Sequence, residues 1–285
     1  MRIFIPTKNR HETIQTHKYF NGFDYHILVH NQQQYDLYEK FAPQTGIDIE
    51  RLEITDVAPD QFGLTRQREW VCGHFAAKDE WFIFADDNIK EIQAVASSHY
   101  NSNQLPVQAE PTLKSIYEQR CEPERFINEI VPECIGFAEK AGANHLGFAC
   151  VDNFFFRANK WKQVAYIIGK LMLWHNTGEL KFDHTITMED FELTAQSLLK
   201  FGIAPVNNFV YPVASHYQKG GMGRKDERMN DRWNDVQILM QKYPGLFAMK
   251  NSGYPDLKLK FYAKQQVEQW RKHFTISKTP KSMWS

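Results

Sequence analysis

The chain has 285 residues, a length that accommodates one large domain or two modest ones around a substantial core. Hydrophobic residues make up 42%, charged residues 24%, and 34 Lys+Arg balance 34 Asp+Glu. That balance excludes a whole-chain polycation held to nucleic acid by bulk charge, and Gly 15 with Pro 12 excludes a fibrous or low-complexity chain.

Strand and helix periods alternate along the first third of the sequence. Arg2-Ile3-Phe4-Ile5 is a short apolar run stopped by Pro6 and predicts a buried strand. Asn9 to Phe20 reads as a helix ended by Asn21-Gly22. Tyr25 to Val29 is a second strand, Gln32 to Phe41 a helix closed by Pro43, and Arg51 to Ile54 a third strand. Thr65 to Ala77 carries apolar residues at 70, 71, 75 and 76, a helical stripe. Trp81 to Ala85 is a fourth strand running straight into Asp86-Asp87-Asn88. Such alternation predicts an α/β fold with a mixed, largely parallel sheet flanked by helices. Ligands of such sheets bind beyond the strand carboxyl ends, where Pro6-Thr7-Lys8-Asn9-Arg10 and Asp86-Asp87-Asn88 both lie.

Further on, residues 97–112 read as a loop, and Glu124 to Ala141 as a helix despite Pro132. His145 to Arg157 and Ala204 to Ala214 are expected strands, and the FFF run at 154–156 most simply a core strand. Met188 to Phe201 is an amphipathic helix ended by Gly202, and Glu227 to Tyr243 a further helix. With no internal repeat or linker, a single domain over residues 1–275 with a tail at 276–285 is expected. Cys72, Cys121, Cys134 and Cys150 show no metal-binding spacing, and Cys72 and Cys150 read as buried hydrophobes. The opening MRIFIPTKNR lacks a signal-peptide pattern and no stretch suits a membrane span, so a cytoplasmic protein without a membrane partner is expected.

The sharpest chemical feature is Asp86-Asp87-Asn88, oxygen donors suited to Mg²⁺ or Mn²⁺, or else an Asp-Asn turn capping a following helix. Thr187-Met188-Glu189-Asp190 offers Asp190 or Glu189 as a general base, or Thr187 or Glu189 as a helix cap. His216 to Lys225 combines three glycines, a histidine that suits a metal, and the cations Lys219, Arg224 and Lys225; a surface loop has the same composition. Thr65-Arg66-Gln67-Arg68 opens a helix with phosphate-suited arginines. No GxGxxG follows the first strand, which weakens dinucleotide binding; the missing GxxxxGK[ST] excludes a P-loop, and without HExxH or GxSxG the zinc-peptidase and α/β-hydrolase readings lack support.

In combination these segments resemble the GT-A glycosyltransferases. The resemblance rests on Ile5-Pro6-Thr7-Lys8-Asn9-Arg10, the arginine-bearing helix, Asp86-Asp87-Asn88 in the place of a DxD signature, Glu189-Asp190 and His216. The ADDN, MEDFELT and HYQKGGMG segments more narrowly resemble the TET-associated glycosyltransferases of bacteriophages and the base J glucosyltransferase. The resemblance implies a GT-A (Rossmann-like) fold and a nucleotide-sugar donor, in particular a UDP-sugar. Pro6, Thr7 and Arg10 would hold the nucleoside; Asp86 would contact ribose or metal; Asp87, Asn88 and His216 would complete a Mn²⁺ or Mg²⁺ site. Arg66, Lys219 and Arg224 would offset diphosphate charge, and Asp190 would take the acceptor proton in an inverting transfer. The implied acceptor is a 5-hydroxymethylpyrimidine in DNA, flipped onto aromatics among Phe154-Phe155-Phe156 and Trp161, with Arg157, Lys225, Arg228 and Arg232 nearby. The rivals are a GT-A enzyme acting on a glycan or protein, a nucleotidyltransferase, and a non-catalytic nucleic-acid or carbohydrate-binding module.

Overall fold

The computed structural model describes residues 1–56, 63–105, 117–182, 185–215, 228–251, 253–260 and 264–276. The chain is α/β. Eight strands form one sheet in the order β3-β2-β1-β4-β9-β7-β10-β8. These are β1 (Ile3–Pro6), β2 (Tyr25–Val29), β3 (Leu52–Ile54), β4 (Trp81–Ala85), β7 (His145–Phe148), β8 (Trp161–Lys162), β9 (Leu171–His175) and β10 (Val206–Asn207). A three-stranded sheet orders β11 (Val210–Ala214), β5 (Ile89–Val95) and β6 (Glu118–Cys121), and β12 (Phe247–Met249) pairs with β13 (Leu257–Leu259).

β3, β2, β1 and β4 run parallel, as the alternation predicts. The far half is mixed, because β9 lies antiparallel to both β4 and β7. Residues 149–170 return the chain to the sheet with a 3-10 turn and a two-residue strand and without the crossover helix that usually carries a parallel return.

Side chains alternate across the sheet with period two. Ile3, Ile5, Ile83, Ala85, Leu171 and Leu173 fill one face, and Phe4, Phe82, Phe84, Met172 and Trp174 the other. Both faces are covered, so the strands read as unbroken apolar runs. Helices α2 (Gln32–Thr45) and α5 (Val131–Ala141) pack on the first face. Helices α6 (Glu189–Phe201), α7 (Met229–Lys242) and α8 (Lys264–Ile276) pack on the second, with α3 (Gly63–Trp70) and its π-helical extension Val71–Phe75. Two short helices, α1 (Thr16–Tyr19) and α4 (Ser97–Tyr100), precede α5 in the chain. No helix among the described residues is long and apolar enough to cross a membrane.

Several expectations are corrected. The helix expected over Asn9 to Phe20 is helical only at α1; ahead of it Arg10 accepts the amides of Thr13 and Ile14 in a turn. That turn delivers the amides of Gln15 and Thr16 to the carbonyl of Asp87. α2 continues through Pro43 to Thr45 and is closed by Gly46 at φ 75°. Pro43 removes one donor, but the Gly46 N–H still reaches the Ala42 carbonyl at 2.8 Å. Residues 154–157 form a 3-10 turn, not a core strand, with Phe156 56% exposed. Ala204 to Ala214 splits into β10 and β11. Cys150 is exposed, since it stands where the chain has left β7, and Cys72 is half-buried.

Candidate functional site

Asp86, Asp87 and Asn88 form the tight connection from β4 to β5, so a strand follows them and the helix-cap alternative falls away. Thr16 staples the turn: its hydroxyl donates to the Asp86 carbonyl and accepts the Ile89 amide at 2.9 Å. The side chains then divide.

Asp87 is buried and turned to the β1 end. Its Oδ2 accepts the Thr7 hydroxyl at 2.7 Å, and its Oδ1 pairs with Arg10 Nη1 at 3.0 Å. Thr7 also shares a 2.6 Å bond with the Tyr38 hydroxyl, which accepts the Arg10 amide at 3.0 Å. Burial raises the Asp87 carboxyl to about 6 against the pull of Arg10. The segment that the resemblance assigns to nucleoside binding thus joins the acidic turn through Thr7 and Arg10, both buried; Pro6 lies in β1, paired with Leu28.

Asp86 faces Arg68. The Arg68 guanidinium is fully buried and reaches three elements: Nη2 to Asp86 Oδ1 at 3.3 Å and to the Gly169 carbonyl at 2.7 Å, Nη1 to Glu189 Oε1 at 2.8 Å. Arg66 instead points outward and pairs with Glu69 on its own helix. Of the two arginines, Arg68 is the one at the strand end. Lys170, also buried, precedes β9; its carbonyl accepts the Asp86 amide at 2.7 Å, and burial lowers its pKa while Asp86 raises it.

The first turn of α6 completes the cluster. Its N-cap is Met188 with no side-chain bond, so neither Thr187 nor Glu189 caps the helix. Thr187 is instead held by Asp235 of α7, which accepts its amide at 2.6 Å and its hydroxyl at 2.8 Å. Glu189 is buried; burial, then neighbouring Asp190, push its carboxyl up to about 8, with Arg68 opposing. Asp190 is half-buried and also raised by burial. Its Oδ2 accepts the Tyr166 hydroxyl and the Gly169 amide, the latter at 3.2 Å. Three carboxyls thus surround Arg68 and Lys170, an arrangement that keeps a proton among the acids near neutral pH.

For a divalent cation, this structure offers Asp86 and Asn88. Asn88 Nδ2 donates to the Ser215 carbonyl at 2.8 Å, while its Oδ1 is buried without a hydrogen-bond partner. Asp86 Oδ2 is also unengaged by protein donors among the described residues, and carboxylate and amide oxygens are the donors Mg²⁺ and Mn²⁺ take. Asp87 has both oxygens occupied by Thr7 and Arg10. No three His, Cys, Asp or Glu side chains gather as a metal set among the described residues. His216, Lys219, Arg224 and Lys225 lie outside the described residues.

A cleft of about 670 Å³ is lined by apolar residues, by Tyr166 and Phe191, and by Lys162, Lys250, Lys258 and Lys264; none of Asp86, Asp87, Asn88, Arg68, Glu189 and Asp190 lines it, and Lys250 pairs with Asp256 at 2.7 Å. Of the groups suggested for a flipped base, Arg157 is fully buried and paired with Glu118 at 2.7 Å. Trp161 stacks on Phe137 at 4.0 Å, and Arg232 pairs with Asp256 at 3.2 Å. The side chains of Phe154 and Phe155 lie outside the described set.

Sequence reasoning missed Tyr166, Gly169 and Lys170, which stand in an aperiodic stretch without a motif. Arg68 was legible: Leu64, Arg68 and Val71 share one helical stripe, and Arg66 stands off it. No protein-family model matches this chain, and none of the curated proteins matches it.

Proposed function

We propose that the protein is a GT-A glycosyltransferase that moves a sugar from a nucleotide-sugar, a UDP-sugar, to an acceptor hydroxyl with inversion. One observation carries the reading: Arg68 ties the strand-end acid Asp86 to Glu189 of α6, so segments far apart in sequence meet at the carboxyl end of β4. Crevices beyond strand carboxyl ends are where α/β sheets bind their ligands.

Asp190 takes the role of base, because it is half-buried whereas Glu189 is sealed against Arg68. The acceptor oxygen attacks the anomeric carbon, its proton passes to Asp190, and the bond to the diphosphate breaks, the nucleoside diphosphate leaving with the electron pair. Lys170 beside Asp86 places positive charge at the crevice where the diphosphate gains negative charge. A divalent cation held by Asp86 and Asn88 would supply further charge compensation there. Asp87, Thr7 and Arg10 brace the turn from beneath. For the acceptor, the lysine-lined cleft suits a phosphate-bearing molecule, in keeping with hydroxymethylated DNA.

The test is a donor and acceptor screen. The protein is incubated with Mn²⁺ or Mg²⁺, UDP- or GDP-sugars, and duplex DNA containing hydroxymethylcytosine or hydroxymethyluracil. Nucleoside mass analysis is expected to show a hexose gain. Transfer to saccharides alone would redirect the acceptor to glycans. Diphosphate release from a nucleoside triphosphate would mark a nucleotidyltransferase, and donor binding with no turnover a binding module.

A further inference from the structure

Tyr166 belongs to no motif, yet it touches the base assigned above. Its hydroxyl donates to Asp190 Oδ2, and its ring stacks on Phe191 with centroids 4.2 Å apart and 23° between planes. The Gly169 amide donates to the same Oδ2 at 3.2 Å. Oδ1 meets only the amide of adjacent Phe191, at 2.9 Å, among the described residues. Rotating the carboxylate would break both bonds to Oδ2 and the one to Oδ1, and Oδ1, with the single amide, is the oxygen left to receive a proton. The same phenol ring lines the lysine-bearing cleft, which Asp190 itself does not line.

We propose that Tyr166 is a positioning residue for transfer: its hydroxyl fixes Asp190 through Oδ2, leaving Oδ1 to receive the proton of an acceptor hydroxyl. The inference rests on Asp190 being the base. Tyr166 keeps its own proton throughout, since burial and then Asp190 raise its pKa far above the ordinary tyrosine range. The other charged groups acting on Asp190 are Glu189 of the same turn, Arg68 of α3 and Arg232 of α7. All three remain in a Tyr166 variant, so a change in Asp190 titration there reports the phenol.

Tyr166→Phe keeps the ring and its stacking and removes the hydroxyl. A donor that favours the charged carboxylate is lost, so Asp190 must titrate at higher pH. Donor turnover is therefore expected to show its acid limb moved upward by about one pH unit. kcat should fall about tenfold, with donor KM unchanged. Superimposed pH profiles for the two proteins would overturn the proposal. A second readout needs no activity: selective ¹³C labelling of aspartate carboxyls, with the Asp190 signal assigned by its loss in Asp190→Asn. An upward shift of that titration in Tyr166→Phe supports the hold on Asp190, and an unmoved titration overturns it. If the wild type turns over no nucleotide-sugar, the glycosyltransferase reading fails, and the carboxyl titration still decides whether Tyr166 holds Asp190.

Discussion

Arg68 pairs with Glu189 at 2.8 Å across 121 positions of sequence, and this contact closes the floor of the site. The guanidinium is fully buried and shared with Asp86, so two carboxylates depend on it. Removing the guanidinium leaves Asp86, Glu189 and the Gly169 carbonyl without a buried donor. Arg68→Ala should therefore cost about 1–3 kcal/mol of stability. Arg66→Ala, on the exposed face with Glu69, should stay within about 0.5 kcal/mol. Urea unfolding of the two variants makes the comparison; equal losses would contradict the assignment of Arg68 as the buried anchor.

The Gly169 backbone touches the charged cluster, its carbonyl accepting Arg68 Nη2 at 2.7 Å. A Cβ there would stand 3.1 Å from both Arg68 Nη1 and Glu189 Oε1. Neither side chain is free to yield, since each holds the other. Gly169→Ala should fold, lower the melting temperature modestly, and cut turnover about tenfold or more by displacing the acids. Thermal melting beside steady-state kinetics checks this, and wild-type kinetics in the variant would show that the cluster tolerates displacement.

The pH dependence of stability has a defined sign. Glu189 is raised from an ordinary 4.5 to about 8 in the folded protein, so folding favours its protonated form. The stability it contributes is complete below 4.5 and is lost as pH rises towards 8. His145, lowered to about 3, and His30, lowered to about 4, act oppositely: both are buried neutral, and acid destabilises the fold as pH drops below the ordinary 6.5. The difference in melting temperature between wild type and Glu189→Gln isolates the glutamate. Wild type should lose ground to the variant steadily between pH 4.5 and 8, and a constant difference would contradict the shift.

What the sequence disclosed follows from periodicity. Apolar runs such as Trp81 to Ala85 and Leu171 to His175 are buried on both faces; the first was legible as a strand, while the second had no regular crossover before it to place it. The acids at 86–88 and 189–190 were legible because charge directly after a buried strand, or at a helix start, is conspicuous. Which of them face one another was not, because Asp86 and Asp87 are adjacent yet serve different partners, Arg68 and Arg10. Tyr166 and Gly169 escaped notice for the same reason: their importance comes from contact with Asp190, which only the folded chain supplies.

The most direct test measures nucleoside diphosphate released from a UDP-sugar by the wild type and by Asp190→Asn, with donor binding followed by calorimetry. The account predicts release by the wild type, a fall of about 10²–10⁴ in the variant, and unchanged donor affinity. Equal release by both proteins, or no release and no binding with any nucleotide-sugar, would contradict it.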